Sequence, residues 1–298
     1  MVRIPRLVIA AAASSAGKTT IATGIMAALR AAGRDVAGFK VGPDFIDPGY
    51  HALATGRLGR NLDAVLTSEE LVPRLFLHGA LTPVPAEVAV VEGVMGLFDG
   101  QLEREGFGST AHIARLLDAP VLLVVDAAGS SRTAAAAALG LRSFDEHTRI
   151  GGVVVNRVAS PRHGAELAAV FAAAGIPVLG RVPRQAGIAA PSRHLGLVPA
   201  AERAESAATV AALAEHVAAH VDLAAVLDLA RSAPSLEATV WDPAEVVTPV
   251  VGRPLVGLFG GRAFTFRYAE TAELLTAAGC RVVEIDPLRG TALPAGLA

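Results

Sequence analysis

The chain has 298 residues, 52% of them hydrophobic and 18% charged, with 26 Lys and Arg against 28 Asp and Glu for a formal net charge of −2. A chain of this length can bury a large core, which excludes a short peptide or a disulfide scaffold. The near-neutral balance excludes a disordered-tail composition and a basic surface built to grip nucleic acid. Mean hydropathy is high, at +0.48, but apolar runs such as 121–125 are broken by Asp126 and fall far short of the ~20 residues a spanning helix needs. No membrane partner is therefore expected. The single cysteine, Cys280, cannot close an intrachain disulfide, which agrees with a cytoplasmic setting.

At the N-terminus Arg3 and Arg6 precede an apolar stretch, 7–13, that imitates a secretory leader. Cleavage near Ala16 would cut just before Gly17-Lys18-Thr19-Thr20, so the stretch reads instead as a first buried strand. From Arg6 to Arg181 short apolar runs, loops bearing glycine or acid, and helical stretches alternate. That pattern predicts an α/β fold with a doubly wound, mostly parallel sheet of the P-loop NTPase kind. Strands are expected at 7–11, 35–40, 88–91, 121–126, 152–156 and 178–181, and helices at 19–32, 68–78, 110–117, 132–141, 162–174 and 201–219. Loops after the carboxyl ends of such strands carry function. The first unit is expected to span 1–231. Ser, Pro, Thr and Asp with one Trp make 232–253 a linker. Residues 254–298 read as the start of a second α/β unit, a strand at 255–259, a helix at 267–278 and a strand at 281–285, too short to fold unaided and so expected to lean on the first unit or to be poorly ordered.

The densest chemistry is Ala12-Ala13-Ser14-Ser15-Ala16-Gly17-Lys18-Thr19, between a strand and a helix. This is P-loop context. Backbone N–H groups over Ser14, Ser15, Ala16 and Gly17 can cradle phosphate oxygens, Lys18 can neutralise them, and the Thr19 hydroxyl, followed by Thr20, suits Mg2+. Ala12 stands where such a turn usually has its first glycine.

Two acids three residues apart, Asp44 and Asp47, follow the second strand in a loop rich in proline and glycine. Beside a triphosphate they would repel it unless Mg2+ bridged them, or they could steer an amine nucleophile; Asp47 can equally cap a turn. Glu92 ends the third strand, where a Walker-B carboxylate holds Mg2+. In the loop after it, Asp99 faces substrate or forms a turn with Gly100. Asn156 ends the fifth strand and Pro183 follows the sixth, near where a nucleotide base would lie, and an asparagine closing a strand is the structural alternative. Weaker features are set aside. His216 and His220 read as a solvated helix face, Cys280 as core, and 103–105 as an exposed loop.

Taken together, ASSAGKTT, FKVGPDFIDPGYH, GRNLD, VEGVMGLFDG, GSTAHIA, NRV and SRHLGL resemble the cobyrinate (hydrogenobyrinate) a,c-diamide synthases of cobalamin biosynthesis. The resemblance runs along nearly all of 6–200 and resumes at 261–264. It implies an enzyme that uses ATP and Mg2+ to phosphorylate the c and then the a carboxylate of a corrin substrate, after which ammonia displaces phosphate. By the same resemblance Lys18 and Thr19 match the nucleotide site, Glu92 and Asp44 match acids of metal binding or catalysis, and Asp47 and Asp99 match acids that handle substrate or intermediate. Members continue into a class I glutaminase domain that draws ammonia from glutamine. Here that domain is expected to open near Pro254, with its cysteine nucleophile absent from the chain, which would leave free ammonia or a separate subunit as donor. Sites of this kind often sit at subunit contacts, so a homodimer is among the arrangements expected. Two rivals are a carboxylate kinase like dethiobiotin synthetase and a ParA-type ATPase switch. The switch is disfavoured because Ala13 stands where that group carries a second lysine.

Overall fold

The computed structural model describes residues 3–184, 206–261, 263–290 and 293–297. Seven strands make one parallel sheet: β1 (Arg6–Ala11), β2 (Val36–Val41), β3 (Arg60–Leu62), β4 (Val88–Glu92), β5 (Val121–Asp126), β6 (Ile150–Val158) and β7 (Val178–Pro183). Their spatial order is β3-β2-β4-β1-β5-β6-β7. Parallel strands need crossovers, and these cover both faces. Helices α1 (Lys18–Ala31), α2 (Asp47–Thr55), α7 (Ser206–His220) and α8 (Leu223–Arg231) lie on one face, and α3 (Leu71–Leu81), α4 (Thr110–Leu116), α5 (Arg132–Phe144) and α6 (Pro161–Ala173) on the other. The alternation of side chains along a strand is visible in β1. Leu7, Ile9 and Ala11 join the core with Ile21, Met26 and Val217, whereas Val8 and Ala10 join the core with Phe76, Ile113 and Phe171. Because β1 lies between β4 and β5 and the chain winds outward from it on both sides, the crevice beyond its carboxyl end is a topological switch point.

The expected strands of the main sheet agree with those observed to within one or two residues at each end. Three elements escaped the sequence reading. The loop expected at 40–49 turns into α2 at Asp47, with Pro48 in the first turn, where its missing N–H costs nothing. β3 has only three residues, too few for a period to show. α8 is capped by Asp222, whose side chain accepts from the Ala225 N–H at 3.0 Å. The helix expected at 68–78 starts at Leu71. Residues 201–205 of the helix expected at 201–219, and the SRHLGL segment, lie outside the described residues.

Beyond the main sheet, β8 (Leu255–Phe259) and β9 (Arg281–Ile285) pair in parallel around α9 (Ala269–Ala277) as a separate two-stranded sheet with mostly half-buried strands. This small unit leans on the edge of the large sheet. Arg60 of β3 reaches Glu270 at 2.7 Å and Glu273 at 2.5 Å. Phe45 stacks on Phe266 and Tyr268 with ring centroids 5.1 and 4.8 Å apart. The segment 232–253 is strapped to the core: Ala233, Leu236 and Trp241 are buried, and the Trp241 ring meets His78 edge-on at 5.0 Å. Cys280 is half-buried rather than in the core.

Candidate functional site

The turn at 12–17 joins β1 to α1 at the switch point. Its backbone enters the left-handed region at Ser15 (φ 65°) and Gly17 (φ 97°), the kind of winding that turns successive N–H groups toward one concavity, with the positive end of the α1 dipole behind it. Ala12 stays out of that region, so its position does not require glycine. The Lys18 ammonium donates to the Ala13 carbonyl at 3.0 Å and to that of Met95 in the loop after β4, which holds it over the turn. The end of β6 buttresses the turn from beneath. Asn156 Nδ2 donates to the Ala16 carbonyl at 2.9 Å, and Arg157 donates to Ser15 O at 2.8 Å while pairing with Asp126 at 2.5 Å. Alongside, a cleft of about 320 Å³ is lined by 12–16, Asp126, Ser130, Thr133 and Arg157 among others.

Below the turn lies a buried ionic cluster assembled by strand register. β2 and β4 are neighbours with Lys40 opposite Glu92, and α1 starts above them with Thr19. Lys40 Nζ sits 2.6 Å from Asp47 Oδ2, 2.9 Å from Glu92 Oε1 and 3.1 Å from the Gly93 carbonyl. Thr19 Oγ1 donates to Glu92 Oε1 at 2.5 Å and lies 3.5 Å from Asp47 Oδ2. His51 Nε2 lies 2.7 Å from the other oxygen of Glu92. Lys40 is 1% exposed, and Glu92 and His51 are fully buried. Burial alone would raise the Glu92 carboxyl, but the Lys40 ammonium and hydrogen bonds from His51 and Thr19 hold it well below the usual carboxylate range. Burial and the Glu92 charge push Asp47 up to about 6 against the pull of Lys40. Burial opposes the Lys40 charge, yet the two carboxylates raise its pKa. The Lys40 ammonium is thus shared between the two carboxylates.

This donor set fits Mg2+, a hard cation that takes oxygen ligands and keeps several waters or phosphate oxygens in its shell. Thr19, Asp47 and Glu92 supply a hydroxyl and two carboxylates that already converge. Among the described residues no three His, Cys, Asp or Glu side chains are grouped to hold a metal by themselves, so a cation here would lean on oxygens from a ligand as well.

The other expected site residues are placed as follows. Asp44 Oδ1 accepts from the N–H groups of Ile46 and Asp47 at 2.7 and 3.1 Å, fixing the start of α2 and so the position of Asp47. Asp99 is exposed and accepts from the Gly96 N–H at 3.0 Å, closing the turn in which Met95 adopts φ 51°. Ser14 is exposed in the turn and Thr20 half-buried in α1. Both ends of the Asn156 amide bond to backbone, the oxygen accepting from Arg157 N at 2.9 Å. Pro183 ends β7 beside Val158; residues 185–205 after it lie outside the described residues. The expectation of a solvated face at His216 is corrected. His216 is buried against the sheet side of α7, its ring 4.7 Å from that of His220, and burial lowers its pKa. The loop at 103–105 is exposed, with Arg104 resting on the Phe107 ring.

Sequence reasoning missed Lys40 and His51. Both lie in FKVGPDFIDPGYH, and the available signal was a lysine inside an otherwise apolar strand, costly to bury without an anion.

A P-loop-like turn at the switch point of a parallel sheet, with an acid ending the neighbouring strand, is the architecture of a nucleotide-binding α/β protein. The chain belongs to the CobQ/CobB/MinD/ParA nucleotide binding domain family, whose model matches residues 7–198. Over 303 residues it is 58% identical to the hydrogenobyrinate a,c-diamide synthase of Thermobifida fusca, covering 99% of this chain and 64% of that protein. It is 53% identical over 300 residues to the enzyme of the same name from Mycobacterium tuberculosis, covering 99% and 64%. It is 43% identical over 295 residues to the cobyrinate a,c-diamide synthase of Syntrophotalea carbinolica, covering 98% and 63%. The chain thus spans just under two thirds of the length of these curated relatives. Among solved structures, chloroplast FtsY from Physcomitrella patens aligns with a TM-score of 0.45 at 17% identity, over 72% of this chain and 66% of that one.

Proposed function

We propose that these 298 residues form the ATP-dependent synthetase part of an a,c-diamide synthase acting on hydrogenobyrinate or cobyrinate, which activates each carboxylate by phosphoryl transfer and passes it to ammonia. The observation that carries this reading is the buried cluster of Thr19, Lys40, Asp47 and Glu92 set directly beneath the P-loop turn. The names of the curated relatives support the substrate class.

In this reading Ser14, Ser15, Ala16 and Gly17 bind the phosphates through the backbone, and Lys18 exchanges its two carbonyl partners for phosphate oxygens. Thr19, Glu92 and Asp47 would hold Mg2+, with Asp44 fixing Asp47 by accepting from its N–H. When bound, that cation neutralises charge on the transferring phosphoryl group. A substrate carboxylate oxygen takes the γ-phosphoryl group, and ammonia then attacks the acyl carbon as phosphate leaves. No covalent enzyme chemistry is needed, because positioning and charge neutralisation suffice. Asp99, exposed at the rim, handles substrate. Asn156 braces the turn near the base, and Pro183 borders that region.

The test is ADP release by the purified chain from ATP and MgCl2, with mass spectrometry of the corrin. Turnover is expected only when hydrogenobyrinic or cobyrinic acid and ammonia are both present, with carboxylates converted stepwise to carboxamides. Turnover on 7,8-diaminopelargonic acid instead, or hydrolysis stimulated by DNA, would overturn the assignment.

A further inference from the structure

Lys40 is almost wholly buried and bridges two carboxylates in the cluster. Its ammonium lies between Asp47 Oδ2 and Glu92 Oε1, the same two oxygens that the Thr19 hydroxyl faces. We infer that Lys40 is a resident counter-cation: its ammonium lies between Asp47 and Glu92, at the position a divalent cation would take when nucleotide loads. The inference rests on the cation reading above and goes beyond it in assigning Lys40 the task of keeping metal out until nucleotide arrives.

Three observations support it. First, two carboxylates this buried that converge on one point call for a cation between them, because an uncompensated buried charge is strongly destabilising. Second, an ammonium and a divalent cation repel each other, so metal can bind only if Lys40 Nζ gives up at least one of its two carboxylates. A lysine on a flexible four-carbon stem can do this, as a compact point charge without a fixed fork. Third, Glu92 is anchored from its far side by His51 at 2.7 Å, so the carboxylate keeps its orientation toward Thr19 when the ammonium moves. A free divalent cation sheds water reluctantly and gains little by displacing one cation from two carboxylates. A cation carried in on a triphosphate brings further oxygens with it, and the exchange becomes favourable. Lys40 would thereby couple metal binding to nucleotide binding.

The experiment is equilibrium dialysis of the whole chain against MnCl2 alone and against MnCl2 with ATP. The native chain is expected to retain Mn2+ only with ATP. Lys40→Met is expected to retain Mn2+ without nucleotide, at least about tenfold more tightly than the native chain. Because that change leaves two buried carboxylates facing each other, Lys40→Gln, whose amide can donate to one of them, is the second variant. Thermal unfolding in MgCl2 alone is the second measurement, with Tm expected to rise for the variants and not for the native chain. A variant that folds only when refolded in MgCl2 would support the inference; one that MgCl2 does not recover would overturn it. Equal retention of Mn2+ alone by native chain and variants would also overturn it, while native retention with ATP leaves the nucleotide site standing. Failure of the native chain to retain Mn2+ even with ATP would remove both.

Discussion

Gly17 answers to two constraints at once. Its φ of 97° suits glycine, and a Cβ there would collide with Asn156 Nδ2, the group that holds the Ala16 carbonyl. Gly17→Ala is therefore expected to destabilise the chain by about 1–3 kcal/mol and to remove nucleotide retention, read by Tm and by dialysis against ATP. Lys18 and Asp99 should separate. Lys18→Ala takes away the charge poised over the turn and is expected to abolish turnover and weaken ATP retention. Asp99→Asn keeps an oxygen that can accept from the Gly96 N–H, so the turn survives; ATP retention should be spared while product formation slows. Equal loss of ATP affinity in both variants would refute that division of labour. At this scale Lys18, Thr19 and Glu92 were readable from spacing alone, since a P-loop after one strand and an acid ending another form a local pattern. Lys40 and His51 were not, because their partner Glu92 is 52 and 41 residues away and only the strand order brings them together.

Among the elements, α9 makes the most informative contact, through Glu270 and Glu273 to Arg60 of the edge strand β3. Arg60 is 4% exposed, and truncating it takes the guanidinium from two half-buried carboxylates, leaving Glu273 only His78, so Arg60→Ala is expected to cost about 2 kcal/mol. Trp241, the single tryptophan, packs on His78, which itself pairs with Glu273 at 3.1 Å, so its fluorescence reports whether the clamp is closed. Acid should open it. Burial opposes ionisation of Glu273, but hydrogen bonds and charge from Arg60 hold its carboxyl below the ordinary 4.5. A group depressed in the folded state stabilises fully above its unfolded value and loses that contribution as pH falls through the folded one. The Trp241 signal should therefore change below about pH 4.5 in the native chain and at a higher pH in Arg60→Ala, where the carboxyl loses the charge that depresses it; coincident titrations would disprove the link. The edge of the sheet was also where sequence reading was weakest. β3 is too short to show a period, and α2 starts in a stretch whose prolines and glycines suggest a loop, although Asp44 accepts from the Ile46 and Asp47 N–H groups at its start. The six long strands were legible because burial on both faces fills them with Val, Ile and Leu.

At the scale of the whole chain, the parallel sheet supplies the phosphate turn and the acids while the small β8–α9–β9 unit touches the loop between Asp44 and Asp47 through Phe45. Cys280 sits half-buried at the start of β9, in that outer unit. Cys280→Ser is accordingly expected to leave ammonia-dependent turnover unchanged, as a coupled ADP assay would show. The strap at 232–253 has a practical consequence for anyone trimming this protein to a minimal nucleotide-binding fragment. A cut after Arg231, where α8 ends, would strip Trp241 and Leu236 from the core and take the Pro234 carbonyl from the buried Arg6 guanidinium. The scissors belong beyond Trp241, and chimaeras between relatives should exchange Phe45 together with Phe266 and Tyr268, as parts of one joint.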